Sequence, residues 1–226
     1  MESKVKIMKN FPYYKYRWFV TSSGKLVVGG KSAEQNEELV RICMEGKHLD
    51  LNSITSIKEW TIKKKKYVVM HTKSPGSPFS IILDENPNEK DLEETAIFTA
   101  FFSRAWKSKK DKTQVDVFLL EQMYKNPEMN IGTFGVMDTI DHRIVRLRFY
   151  FKKQLNVLRA VPFEVPNSPL VIPGNIPKEQ FAKEISKMYN VSFEEAMNCL
   201  PTGSFDFEIP IKRKIIKNFS KNSKKK

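Results

Sequence analysis

His71 ends the apolar run Tyr67 to His71, and a loop rich in Pro and Gly follows it, Thr72 to Pro78, carrying Lys73, Gly76 and Ser77. An imidazole beside a hydroxyl is a pair from which acid–base chemistry is built, because a ring nitrogen titrating near neutral pH can take or return the hydroxyl proton. No third group at a recognisable spacing orients the ring, and nothing around Ser77 resembles a nucleophile elbow. Two other roles suit the same residues. They can close the loop by structural hydrogen bonds. They can also hold a phosphate, with His71 and Lys73 acting beside successive backbone amides near Gly76 and Ser77 that form an anion-binding nest.

Metal chemistry finds no pattern here. The histidines are His48, His71 and His142, and none has a Cys or His three or four residues on. No acidic cluster of the polymerase or nuclease type is present. There is no P-loop, and a turn alone explains the pair Gly29 and Gly30. No cofactor is expected.

The formal charge is more telling. With 39 Lys and Arg against 26 Asp and Glu, the 226-residue chain carries +13. An excess of that sign favours polyanions, either nucleic acid or an anionic membrane surface. The basic residues fall in groups. Lys63, Lys64, Lys65 and Lys66 are consecutive, as a solvated loop or as phosphate contacts. Arg104, Lys107, Lys109 and Lys110 gather at the end of a helical pattern. Arg146 and Arg148 share one face of a strand pattern, and a sheet face bearing Arg beside aromatic rings can track a backbone and stack bases. Arg17 lies among Tyr13, Tyr14, Lys15, Tyr16 and Trp18, where core packing explains Trp18 better than stacking does. From Lys212 to Lys226 the tail has eight Lys or Arg and no acid.

Elements must position these groups. Arg17 to Thr21 reads as a strand, followed by a Ser-Ser-Gly turn, a second strand and a Gly-Gly break. A helix then opens with Ser32 as cap and Gln35 placed to reach back to the Ser32 amide, a capping box. Trp60 to Lys64 is a possible strand. Tyr67 to His71 and Pro78 to Leu83 are further strand patterns. Asn88 caps a long helix predicted to run to Lys107, apolar around most of its circumference and therefore buried. Gln114 to Leu120 reads as a strand, and a loop with Gly132 and Gly135 follows. Ile144 to Phe151 alternates as one strand and forms a hairpin with Val157 to Phe163 around Gln154 to Asn156. A Pro-rich linker from Pro162 to Pro177 leads to two short helices: one with Pro177 in its first turn, the other with Ser192 and Glu195 as a second capping box. The strand-like Phe-Asp-Phe-Glu-Ile segment precedes the tail.

Length and composition allow a proper core, with 40% apolar residues and 16 Phe. Cys43 and Cys199 sit in helical patterns away from any metal-ligand spacing and read as buried free thiols in a reducing compartment. The N-terminal stretch lacks a signal-length apolar core, and no run approaches 18 apolar residues, so a soluble cytoplasmic protein without a membrane span is expected.

The order of the pieces resembles the NFACT-R module, the predicted RNA-binding part of the NFACT ribosome-quality-control factors. The opening Tyr14 to Val40, with Asn36 and Glu37 on its helix, is similar to the start of that module. The pieces YVVMHTKSPGSPFSII, ETAIFTAFFSRAW, VDVFLLEQMYK, GTFGV and LRAVPFE then follow in the family's order over roughly Tyr16 to Phe163. The matches fall on His71, Gly76 and Ser77, on Ser103 to Trp106, on Lys125, and on Gly132 to Phe134. The family's large factors carry N-terminal modules and a coiled coil before this unit, and peptide tailing is associated with those modules, so it is not carried over. The four-lysine run is atypical. The chain resembles a stand-alone NFACT-R protein with its own helical C-terminal extension.

The expectation is thus an α+β fold: a mainly antiparallel sheet packed on a long buried helix, with a small C-terminal two-helix extension. Residues 1–165 form the RNA-binding domain, 166–211 the Pro-rich linker and extension, and 212–226 the basic tail. The expected function is non-catalytic RNA binding, of tRNA or rRNA, with the ribosome as a further candidate partner, in translation, ribosome quality control or RNA modification. The alternatives are an RNA-directed enzyme using His71, and a DNA- or anionic-surface-binding protein.

Overall fold

Alternating apolar residues build the centre of the molecule. The structure is a computed structural model and describes residues 11–45 and 66–208. In chain order the elements are β1 (Arg17–Val20), β2 (Leu26–Gly29), α1 (Ala33–Glu45), β3 (Val68–Thr72), β4 (Ser80–Ile82), α2 (Glu89–Phe101), α3 (Arg104–Lys107), β5 (Lys112–Leu119), β6 (Met123–Tyr124), β7 (Gly135–Val136), β8 (Asp141–Arg146), β9 (Tyr150–Gln154), β10 (Val157–Val161), β11 (Leu170–Pro177), α4 (Lys178–Tyr189), α5 (Phe193–Cys199) and β12 (Ser204–Glu208). Six strands form one antiparallel sheet in the order β1-β2-β4-β3-β5-β8.

Successive side chains on a strand face opposite ways, and both faces here are apolar. Phe19, Val27, Met70, Ile82, Val115 and Val117 pack with α2. Trp18, Val28, Val69, Ile81 and Phe118 pack with Leu39, Val40 and Cys43 of α1. The α+β expectation holds, with a helix on each face of the sheet. Cys43 and Cys199 are buried free thiols, and burial pushes both up to about 12.

Asn88 caps α2 as read, in a capping box with Asp91. The helix does not reach Lys107. Ser103 breaks it: its hydroxyl donates to the Ala100 carbonyl at 2.6 Å and accepts from the Ala105 amide at 3.1 Å. This closes one helical end and opens α3. The other two expected caps are half right. Ser32 and Ser192 do accept from the amides of Gln35 and Glu195. The return bonds go elsewhere: Gln35 accepts from the Lys31 amide at 3.0 Å, and Glu195 from the Leu158 amide at 2.6 Å, tying α5 to β10.

The strand expected over Ile144 to Phe151 is two strands, β8 and β9, in different sheets. The alternation nonetheless stays in phase across the break, with Leu147, Phe149 and Phe151 buried and Arg146 exposed. The hairpin β9–β10 turns on Leu155 and Asn156, both left-handed at φ 51° and 63°, the backbone a two-residue type I′ turn requires. Just before the turn, the Gln154 side chain takes both backbone groups of Val20: Oε1 accepts its N–H at 2.8 Å, and Nε2 donates to its C=O at 2.7 Å.

The segment read as a Pro-rich linker contains a strand. β11 pairs with β12, and a register shift between Pro173 and Ile176 accommodates the residues around Pro173, since proline cannot donate to a ladder. Pro177 is the cap residue of α4, just before its first turn. The following helices pack into the same apolar cluster as α2. Phe205 stacks on Phe181 at 4.7 Å and lies 5.7 Å from the Trp106 ring. Lys63, Lys64 and Lys65, the possible strand Trp60 to Lys64, His48 and the tail from Lys212 lie outside the described residues. Among the described residues, no helix is long and apolar enough to cross a membrane.

Candidate nucleic-acid interface

A cleft of about 750 Å³ opens where the ends of β2 and β3 meet the start of α1 and the α2–α3 break. Arg17, Lys31, His71, Lys73, Gly76, Ser77, Arg104 and Lys107 line it, and among the described residues Asp116 is the one carboxylate in its wall. Seven of these were singled out from the sequence; Lys31 was not, although it stands between the Gly-Gly break and the Ser32 cap.

The β3–β4 loop is built by its own hydrogen bonds. The Ser77 hydroxyl accepts from the Thr72 amide at 2.9 Å and donates to the Pro78 carbonyl at 3.2 Å, so it closes the loop. From α1, Asn36 Oδ1 accepts the Phe79 amide at 3.2 Å and pins the exit of the same loop. Gly76 has φ +102°, and a Cβ there would sit 2.5 Å from the Arg104 side chain. The α2–α3 break brings Arg104 to this place, where its amide donates to the Gly76 carbonyl at 2.9 Å. Loop and break are therefore fastened to each other.

His71 stacks on Phe79 with centroids 4.5 Å apart, and its Nδ1 lies 2.7 Å from the Thr72 carbonyl. A carbonyl only accepts, so Nδ1 carries the proton and Nε2 remains an acceptor. Burial pushes the imidazole below its ordinary pKa, against the opposing pull of the Thr72 carbonyl, Asp116 and Ser77. Across the sheet, His71 pairs in register with Asp116, and Asp116 with His142. Asp116 bonds His142 Nδ1 at 3.0 Å and Gln114 Nε2 at 2.9 Å.

Lys125 does not present its charge to the cleft. Its ammonium donates to Glu37 at 2.7 Å, to the Asn130 carbonyl at 2.8 Å and to the Thr133 carbonyl at 3.0 Å, which uses all three protons. Glu37 also accepts the Gly132 amide at 2.9 Å. Gly132, at φ +75°, passes so close to Ala33 that a Cβ would lie 2.7 Å from its backbone. Lys125 thus holds the loop that forms one wall. Arg146 and Arg148 lie outside the cleft wall, Arg146 exposed on β8 and Arg148 half-buried with an unpartnered Nε. Lys66 is exposed at the entry to β3, also outside the wall. Among the described residues, no group of three His, Cys, Asp or Glu is placed to hold a metal ion.

Two curated relatives are similar to this chain in sequence and support an NFACT-related module. The chain is 27% identical to the archaeal Rqc2 homolog aRqcH of Methanocaldococcus jannaschii, over 90% of this chain and 30% of that protein. It is 30% identical to the ribosome quality control complex subunit 2 of Schizosaccharomyces pombe, over 45% of this chain and 8% of that protein. The chain therefore spans less than a third of the length of either relative. No protein-family model matches. Among solved structures, the C-terminal part of the fibronectin/fibrinogen-binding protein from Streptococcus suis matches with TM-score 0.43 and 19% identity, over 63% of this chain and 47% of that one.

Proposed function

We propose that this chain is a non-catalytic RNA-binding module that takes structured RNA such as tRNA or rRNA and serves as an adaptor in cytoplasmic ribosome quality control. The observation that carries the reading is the cleft wall: Arg17, Lys31, Lys73, Arg104 and Lys107 share it with one carboxylate, Asp116. A groove with that balance attracts a phosphate backbone at any sequence. His71 enters it as a neutral acceptor. The hydroxyl of Ser77 is engaged at both ends by the loop, so the pair is arranged for shape and not for nucleophilic attack. The ribosome-quality-control part of the reading rests on the names of the two curated relatives.

The test is fluorescence anisotropy of labelled tRNA, and of duplex DNA of similar length, titrated with the protein at increasing KCl. Dissociation constants of roughly 10⁻⁴ to 10⁻⁶ M at physiological salt, tightening steeply as salt falls, are expected. A flat salt response, or no tRNA binding at low salt, sinks the reading. Gel analysis of total RNA incubated with the wild-type protein and with His71→Ala completes it. Intact RNA in both is expected, and cleavage or modification by the wild type alone would make this an enzyme.

A further inference from the structure

Arg17 and Lys31 line the cleft, and two further cations from distant parts of the chain, Arg159 and Lys178, lie outside its wall within reach of their fields. Arg17 lays its guanidinium 4.5 Å from the Phe102 ring centroid and donates to the Gly30 carbonyl at 3.2 Å. Arg159, on β10, lies 4.1 Å from the Trp18 ring, and its buried Nε has no hydrogen-bond partner. Lys178, the first residue of α4, donates to the Leu200 carbonyl at 3.1 Å. Lys31 follows Gly30 and lines the cleft beside Arg17. Arg17, Arg159 and Lys178 are half-buried, and Lys31 is exposed.

Burial and then Arg159 and Arg17 hold Lys31 below the ordinary lysine value; burial and then Arg17 do the same to Lys178. Burial lowers Arg159, and it lowers Arg17 to about 10. The acids whose fields reach the cluster are Glu195, engaged by the Leu158 amide, and Glu179. Among the described residues, no carboxylate forms an ion pair with any of the four. Like charges gathered in a partly desolvated place repel, and the arrangement is unfavourable until an anion joins it. Guanidinium groups held over aromatic rings, that of Arg159 with an unused N–H, suit the oxygens of a phosphate.

We propose that Arg17, Lys31, Arg159 and Lys178 form a phosphate-binding site that anchors an RNA phosphate at the β1 end of the cleft. The RNA part of this proposal rests on the function proposed above; the phosphate part stands on the cluster alone.

The experiment uses the full chain and the double variant Lys31→Met/Lys178→Met, which keeps the apolar stems. Thermal unfolding is followed in sodium phosphate and in sodium chloride at matched ionic strength. The wild type is expected to melt higher in phosphate. The variant is expected to melt as high as the wild type or higher in chloride, because repulsion is relieved, and to show no added response to phosphate. Anisotropy with 5′-phosphorylated and 5′-hydroxyl RNA oligonucleotides follows. The variant should lose about tenfold in affinity, with a salt slope shallower by about 1–2. Loss on both RNAs assigns the site to a backbone diester; loss on the phosphorylated RNA alone assigns it to a terminal phosphate. A phosphate response without RNA binding would leave the site standing and end the RNA reading. Equal RNA binding by variant and wild type, with no phosphate response in either, would overturn the site and leave the RNA reading intact.

Discussion

Glu37 is the residue on which the loop wall depends. It accepts from Lys125, Gly132 and, at 2.8 Å, Arg41. Burial alone would raise its pKa, but these donors outweigh burial and hold it below the usual carboxylate range. Glu37→Ala leaves the Lys125 ammonium short of a partner and is expected to cost about 1–3 kcal/mol in urea unfolding. Lys125→Ala should cost a similar amount, and the double variant less than the sum. His71 makes a pH prediction. Its folded pKa is depressed, so between that value and the ordinary imidazole value of about 6.5 the unfolded chain binds the extra proton. Stability therefore falls as pH drops through that window, and urea midpoints at stepped pH should lose this component in His71→Phe. At this scale the sequence was partly transparent. His71, Gly76 and Ser77 were singled out by type and spacing, whereas Arg159 and Lys178 carry no local signal, because only the docking of β10 and α4 sets Arg159 over Trp18 and Lys178 within the field of Arg17.

Among the elements, the α2–α3 break does most to shape the cleft, and it was the hardest to read. The apolar run continues through Phe102, and Ser103 is ordinary inside a helix, so nothing in the pattern marks the end. What ends the helix is a pair of hydrogen bonds made by one hydroxyl, which also frees the Arg104 amide for the Gly76 carbonyl. Gly76→Ala should cost about 1–3 kcal/mol in thermal or urea unfolding, because the backbone at φ +102° disfavours a side chain and Arg104 occupies its space. The same variant should weaken tRNA binding by anisotropy. An unchanged melt would mean that loop and break are not locked as described. The split between β8 and β9 escaped the sequence for a different reason: the alternation is in phase on both sides, so burial is continuous while hydrogen-bond partners change. β11 was hidden by Pro173 and Pro177, which a two-stranded ribbon with a register shift tolerates.

For the molecule as a whole, the cluster around Phe149 unites elements that the sequence suggested were separate. Phe205 of β12 lies 6.4 Å from Phe149 and touches the Trp106 side of the same cluster. Phe205→Ala is expected to cost about 3–5 kcal/mol, seen equally by tryptophan fluorescence and far-ultraviolet circular dichroism in urea. A variant that disturbed only one of those probes would mean that the C-terminal elements unfold on their own. One feature reaches beyond the single chain. β1 is an outer strand of the sheet, and an outer strand offers its free N–H and C=O groups to any passing chain. The amide of Gln154 occupies both groups of Val20, imitating the peptide unit of a neighbouring strand. It leaves no vacancy for a second copy at that point. Gln154→Leu keeps the bulk and removes the imitation. The prediction is a protein that folds yet gains dimers and larger assemblies with concentration in sedimentation velocity. A single side-chain amide would then be the device that keeps the sheet of one copy from pairing with the sheet of another.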